Sequence, residues 1–138
     1  MRSVGALIYA KNTDRFLFVL RDGKKFAGSW GLVGGKVDNS ETVGQALHRE
    51  IKEEINLDVS TQKIIPLDTF TSDNKKFLFY TYLIMMEEEF MPTLNKEHRG
   101  YCWCYLKDHP TPLHPGLKVT FNTDEIKKKI TTVMTLSF

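Results

Sequence analysis

An apolar segment at residues 77–86 constrains the fold of this chain more than any other feature. Apolar side chains occupy both alternating sets of positions along it, so a strand here would bury both of its faces. Such a strand requires packed layers on each side of its sheet. The segment therefore predicts a central strand in a sheet that is covered on both faces.

Shorter apolar segments predict further strands of the same sheet. Residues 4–10 and 15–20 flank a polar turn, which is typical of a β-hairpin. The first of these segments could also pass for a short signal peptide, but no small-residue cleavage site follows it, and a strand is the better reading. Residues 59–67 and 101–106 predict two more strands, and a proline-rich loop is expected after the second.

Residues 42–55 form the clearest helix prediction. Thr42 and Gln45 match a capping box, and Asn56 stands where helices often end on a left-handed residue. Apolar residues recur every four positions at Val43, Leu47 and Ile51. A helix with one apolar stripe is expected to pack on the sheet.

A second helix is predicted near residues 124–132, with Asn122 and Glu125 able to cap it. Strands with two helices predict an α/β (α+β) fold, a single domain at 1–138 with a mixed sheet and helices on both faces. The formal net charge is only +2, so neither bulk nucleic-acid binding nor a membrane surface is expected. No apolar segment is long enough for a transmembrane helix. Two closely spaced cysteines, Cys102 and Cys104, indicate a reducing, cytoplasmic setting.

Three glutamates carry the chemical signal of the predicted helix. Glu50, Glu53 and Glu54 fall at positions i, i+3 and i+4 and therefore share one helix face. Clustered carboxylates repel one another, and they are the hard oxygen ligands that Mg²⁺ or Mn²⁺ selects. Arg49 is placed to brace Glu53. The alternative is a charged, solvated helix, which would normally intersperse more lysines.

The spacing around these glutamates resembles the signature of the Nudix hydrolases, which fixes glycine, glutamate and arginine positions around a Glu cluster. The match covers residues 35–57, and its one departure is Asn56 where the signature has glycine. The matching residues are Gly35, Glu41, Arg49, Glu50, Ile51, Glu53, Glu54 and Leu57.

The resemblance implies an α/β/α sandwich and a Mg²⁺-dependent attack of water on phosphorus. It implies that Glu50, Glu53 and Glu54, with the Gly35 carbonyl, bind divalent cations, for which Mn²⁺ is a possible substitute. Glu41 is expected to tie the loop to the helix, and Glu50 is favoured as the base. Arg49 is counted with the catalytic set.

A loop before the last predicted strand offers a second acidic residue and a histidine. The resemblance makes Glu97 either an extra metal ligand and rival base or an ordinary polar turn residue. His98 belongs to a pattern similar to a nucleotide-sugar branch of the family and is expected to contact substrate. Cys102 and Cys104 allow a zinc site, but buried packing is favoured.

Substrate contacts are expected in the loop before the helix. Arg21 and Lys36 are favoured as phosphate ligands, while Lys24 and Lys25 are weaker candidates. Phe26 is predicted to stack on a base, with packing equally open, and Trp30 is expected to pack.

The expected partner is a small nucleotide, and a homodimer is possible. The preferred function is a MutT-like nucleoside triphosphate pyrophosphohydrolase. The alternatives are a hydrolase of a nucleotide sugar (ADP-ribose or GDP-mannose type), of a dinucleotide polyphosphate or of RNA 5′ ends, and a non-catalytic binding module. Retention of every box glutamate disfavours the binding module.

Overall fold

A seven-stranded mixed sheet forms the centre of the protein in a computed structural model that describes residues 1–23 and 25–136. The strands are β1 (Arg2–Ala10), β2 (Arg15–Arg21), β3 (Trp30–Gly31), β4 (Val33–Lys36), β5 (Lys63–Thr71), β6 (Leu78–Met86) and β7 (His98–Cys104). The helices are α1 (Val43–Ile55), α2 (Pro115–Phe121) and α3 (Asp124–Thr135). A short 3₁₀ turn, Leu106–Asp108, follows β7.

The strand order is β3-β2-β1-β6-β5, with β1 and β6 parallel and the other pairs antiparallel. The first half of β1 pairs with β4, and its second half pairs with β2, forming the expected hairpin. β7 pairs with the other edge of β2. β6 has strands on both sides and is buried from Leu83 to Met85, which confirms the prediction of a central strand.

Helices cover both faces of the sheet, which confirms the predicted sandwich. On one face α1 packs Ala46, Leu47, Ile51 and Ile55 against β1, β2 and β4. On the other face α2 and α3 contribute Leu117, Phe121, Ile126, Ile130 and Val133 to a second core. Burying a large apolar side chain contributes about 1.5–3 kcal/mol, so these two cores fix where the helices sit.

The ends of α1 are those that the sequence predicts. Thr42 and Gln45 form both hydrogen bonds of a capping box. Asn56 ends the helix in the left-handed region, with φ 55° and ψ 40°, and its N–H donates to the carbonyl of Lys52. These local caps hold the carboxylate-bearing face of α1 in a fixed register.

Two strand boundaries differ from expectation. β5 begins at Lys63 because residues 58–62 form a turn, in which the Asp58 carboxylate accepts the Ser60 amide. The Val59 carbonyl also accepts the Gln62 amide there. β7 starts earlier than predicted, at His98, because pairing with β2 extends to Arg21.

The chain after β7 holds a helix that the proline-rich sequence concealed. Pro115 lies in the first turn of α2, and the His114 side chain caps it by accepting the Gly116 amide. Asn122 ends α2, and Thr123 precedes α3 without a side-chain cap, so the predicted cap by Asn122 and Glu125 is wrong. The described part of the chain contains no helix long and apolar enough to span a bilayer.

Candidate active site

The carboxylate-bearing face of α1 lies against the outer edge of β4. Glu54 is only 2% exposed, and its carboxyl accepts the Gly34 N–H at 2.7 Å. Among the described strands β4 pairs with β1 alone, so its edge opposite β1 has no neighbouring strand. The Gly34 N–H on that edge finds its acceptor in Glu54. Glu54 therefore fastens the helix to the strand where the sheet ends.

Two glycines permit this close approach. A Cβ atom on Gly35 would lie 2.6 Å from the Glu50 carboxyl, and one on Gly34 would lie 2.0 Å from the Val4 carbonyl oxygen. Both distances are far below van der Waals contact. The pair is thus required for steric reasons: Gly34 fits beside β1, and Gly35 leaves space for Glu50.

Arg49 connects the loop before α1 to the helix. Its Nε and Nη2 donate to the two carboxylate oxygens of Glu41 at 2.7 and 2.8 Å, and Nη2 also donates to the Lys36 carbonyl at 3.0 Å. The Asp38 amide donates to Glu41 at 2.9 Å. The Arg49 hydrogen bonds lower the pKa of Glu41 to about 2, so this carboxylate stays ionised.

The same guanidinium also contacts the carboxylate cluster. Its Nη1 donates to Glu50 at 2.9 Å and to Glu53 at 3.2 Å. Glu50 is half-buried, whereas the Glu53 side chain is 54% exposed. Arg49 therefore offsets part of the repulsion between the glutamates and orients them towards β4.

Proton occupancy in the cluster is uneven. Burial raises the pKa of Glu54 to about 10, and the neighbouring Glu97 adds to the effect. Glu97 is exposed, and its pKa is lowered because Glu54 donates a hydrogen bond to it. The two shifts favour the protonated form of Glu54 and the ionised form of Glu97. Burial also raises the pKa of Glu50.

This donor set fits a hard divalent cation. Burial and the neighbouring Glu97 disfavour the ionised form of Glu54, and a cation at this point would favour the ionised carboxylates. In residues 1–23 and 25–136, no three Asp, Glu, His or Cys side chains already converge on one point. The glutamates would therefore have to share or release Arg49 to bind a metal.

A cleft of about 590 Å³ adjoins the glycine pair. This volume is within the range of small-molecule sites. Gly34, Gly35 and Lys36 form its boundary on β4, and the cleft extends across the sheet on the side that α2 and α3 cover. Arg21 and Lys25 add positive charge to its lining.

Of the four predicted substrate contacts, three line this cleft: Arg21, Phe26 and Lys36. Phe26 is 45% exposed, has a positive φ of 56°, and contacts His114 edge-on with a ring separation of 4.6 Å. His98 pairs with Arg21, but its side chain is only 6% exposed and does not line the cleft. Burial lowers its pKa, so the ring is neutral. Lys24 lies outside the described residues.

Several cleft residues were not found from the sequence. His114 is one of them: it caps α2 and contacts the Phe26 ring. Asp68 and Phe70 line the cleft from β5. Their positions depend on strand pairing over long sequence distances, which a local pattern does not reveal.

The predicted packing residues behave as expected. Trp30 packs against the second core, with its backbone next to Leu113. Cys102 and Cys104 pack there as well, with free thiols 3.5 Å apart. Burial raises the pKa of Cys102 to about 12, so this thiol is protonated.

Comparison with known proteins agrees with this fold. The family model of the NUDIX domain matches residues 1–123. Nucleoside triphosphatase NudI of Escherichia fergusonii is 30% identical over 114 residues, which cover 75% of this chain and 76% of that protein. Dihydroneopterin triphosphate diphosphatase of Haemophilus influenzae is 30% identical over 122 residues, covering 77% of this chain and 75% of that protein.

A solved structure extends the likeness to three dimensions. The MutT NUDIX hydrolase of Burkholderia pseudomallei superposes with a TM-score of 0.64 at 25% identity, covering 88% of this chain and 96% of that one. The chain belongs to the Nudix family. It is a hydrolase of that family, whose members generally use divalent metal ions.

Proposed function

We propose that this Nudix hydrolase is a MutT-like pyrophosphohydrolase that cleaves a phosphoanhydride bond in a nucleoside triphosphate and depends on Mg²⁺. One observation carries the proposal: the buried Glu54 and half-buried Glu50 lie against Gly34 and Gly35, and the same two glycines line a cleft that has cationic side chains. Such a pairing suits a ligand with a polyphosphate at one end and an uncharged ring at the other. The names of the two relatives, both of which act on triphosphates, support the same reaction class.

In this proposal Glu50, Glu53, Glu54 and Glu97 would hold Mg²⁺ together with the Gly35 carbonyl, and Mn²⁺ would be able to substitute. The bound ion would neutralise phosphate charge and favour the attack of water on phosphorus. Arg49 holds Glu50 and Glu53 in orientation through its two Nη1 hydrogen bonds. Glu41 anchors Arg49 from the loop side, and Asn56 ends the helix, so both act by positioning.

Glu50 is proposed as the general base. Its raised pKa makes it a stronger proton acceptor than an exposed carboxylate. Arg49 donates to its Oε1, which leaves Oε2 to accept a proton from water. Glu97 is the rival base, because it is exposed and remains ionised. Glu50→Gln and Glu97→Gln distinguish the two, since only loss of the base should remove the acidic limb of the kcat profile.

Substrate contacts are proposed for the side chains that line the cleft. Arg21 and Lys36 would contact phosphates, and Phe26 would stack on the base. A contact from His98 would require its buried ring to become accessible. We place the protein in the cytoplasm, where free Cys102 and Cys104 would stay reduced.

A substrate panel with Mg²⁺ tests the proposal, with released phosphate and pyrophosphate as the readout. We expect nucleoside triphosphates to be hydrolysed and ¹⁸O from labelled water to appear on a phosphate product. Label on a sugar hydroxyl would overturn attack at phosphorus and bring His98 forward as the base. A preference for nucleotide sugars or dinucleotide polyphosphates would replace the proposed substrate class but retain the reaction.

A further inference from the structure

β5 contains a bulge directly before Asp68. Pro66 pairs with Tyr82 on β6, whereas Asp68 pairs with Thr81, so Leu67 is an extra residue in the strand. Leu67 packs into the second core, and Asp68 lines the cleft on the same side of the sheet. Regular alternation would place adjacent residues on opposite faces. The bulge therefore turns the Asp68 side chain into the cleft.

Asp68 lies in one row with the carboxylate cluster across four strands. It pairs with Thr81 on β6, which pairs with Gly5 on β1, which pairs with Gly34 on β4. All four residues line the cleft, and the amide of Gly34 donates to Glu54. Three strand spacings amount to about 14 Å, comparable with an extended nucleotide from its base to its phosphates.

Charge is divided along this row. Arg21, Lys25 and Lys36 are the cationic side chains of the cleft lining, and Lys36 lies on β4 beside the carboxylate cluster. Asp68 is the only acidic side chain that lines the cleft in the described part of the chain. Its half-exposed carboxylate forms no hydrogen bond or ion pair with any described residue. A ligand that reaches Asp68 must therefore supply hydrogen-bond donors.

Aromatic side chains make this end of the cleft suited to a flat ring. Phe70 is 47% exposed and stands opposite Phe79 on β6. Phe77 lies beside Phe79, with ring centroids 6.3 Å apart, and all three line the cleft. Gly5 keeps the floor open, since a Cβ there would lie 2.9 Å from the Phe79 ring.

We infer that Asp68 is a specificity-determining residue that binds a ring N–H and an adjacent exocyclic amino group, the donor pair of guanine and of pterins. A carboxylate accepts two parallel hydrogen bonds from such an edge, and charge-assisted pairs of this kind are the strong ones. Adenine and cytosine place an acceptor beside their amino group, and hypoxanthine lacks the amino group. This inference rests on the proposed function, because it assigns the base end of the same nucleotide site. A base bound at Asp68 would take the place of the stacking proposed for Phe26, so the effect of Phe26→Ala on KM distinguishes the two placements.

Binding of methylene-bridged, non-hydrolysable analogues of GTP, ITP, ATP and XTP in the presence of Mg²⁺ tests the inference by calorimetry. The wild-type protein should bind the guanosine analogue about tenfold or more tighter than the inosine analogue, the discrimination expected of a bidentate pair. Asp68→Asn should weaken the guanosine analogue and strengthen the xanthosine analogue, since an amide offers one acceptor and one donor. That gain cannot arise from misfolding.

Asp73→Asn is the matched control, because Asp73 is exposed in the β5–β6 turn outside the cleft, and it should leave all affinities unchanged. The inference would be overturned if the wild-type protein bound the guanosine and inosine analogues equally, or bound neither. It would also be overturned if Asp68→Asn weakened the analogues of all four bases equally. Guanosine preference without hydrolysis of GTP would instead reject the proposed function alone. The ratio of kcat/KM for GTP to that for dihydroneopterin triphosphate shows which ring system the site prefers. Asp68→Asn should lower kcat/KM for both substrates.

Discussion

The two regions that meet at β4 are built in opposite ways. The carboxylate cluster draws Glu50, Glu53 and Glu54 from consecutive turns of α1, whose two ends are set by local caps. The cleft draws its lining from β1, β4, β5, β6, α2 and the loop after β2. One region is compact in sequence, whereas the other exists only after the whole sheet has formed.

This difference separates the reaction from the recognition of substrate. Residues on α1 contact each other and the glycine pair, so their substitution should affect every substrate alike. Cleft residues contact different parts of a ligand, so their substitution should change the preference among substrates. Steady-state kinetics test this division. A variant on α1 should lower kcat for every substrate, whereas a cleft variant should raise KM for some substrates only.

The largest expected effect is on turnover. Glu53→Gln and Glu54→Gln should each lower kcat by orders of magnitude for every substrate, because each removes a charge from the proposed metal site. The fold should persist in Glu54→Gln, since the amide oxygen can still accept the Gly34 N–H. Steady-state kinetics and circular dichroism measure both points.

Glu88→Gln is the matched control for that experiment, because Glu88 is an exposed acid in the segment after β6. Its kinetics should equal those of the wild-type protein. Near-normal turnover in both α1 variants would remove the metal-site proposal, and a loss confined to one substrate would contradict the division between the two regions.

A smaller and selective effect is expected at Phe26. Phe26→Ala should raise KM by about tenfold with little change in kcat, since stacking on a base is worth about 1–3 kcal/mol. Tyr105→Ala removes a comparably exposed aromatic outside the cleft and serves as the control. An unchanged KM in Phe26→Ala would show that the contact with His114 is the only role of this ring.

The sequence predicts the carboxylate cluster on α1 far better than it predicts the cleft. The capping box, the apolar stripe and the left-handed Asn56 are short-range features, and each has a counterpart in α1. The burial of Glu54 was not predictable, because it depends on how deeply β4 and Glu97 enclose that carboxyl. The spacing of the glutamates therefore indicated a cluster but not which member retains a proton.

Asp68 shows why the β5 side of the cleft was missed. Its direction depends on a bulge that inserts one residue between two pairs with β6. Pro66 was an available signal, since proline within a strand is confined to edges and bulges, and β5 is an edge strand. α2 was missed for a related reason: its prolines suggested a loop, although Pro115 stands in a first helical turn, where proline is tolerated.

Metal binding should stabilise the carboxylate cluster on α1 and should not depend on the cleft. Millimolar Mg²⁺ should raise the melting temperature, because the ion binds only the folded protein. At a Mg²⁺ concentration one hundred times Kd, binding adds about 2.7 kcal/mol to the free energy of unfolding. Glu53→Gln should reduce this increment, whereas Phe26→Ala should retain it. A melting temperature that neither Mg²⁺ nor Mn²⁺ changes would count against a metal site at α1.

The smallest expected effect concerns the end of α1. Asn56 has a φ of 55°, a conformation that glycine adopts without strain and that a β-branched residue resists. Asn56→Gly should be neutral or stabilising, and Asn56→Val should cost about 1 kcal/mol or more in the free energy of unfolding. Urea denaturation measures both. At the exposed helical position Lys52 the order should reverse, with valine more stable than glycine. Equal stabilities of the two Asn56 variants would show that the left-handed cap does not govern how this helix ends.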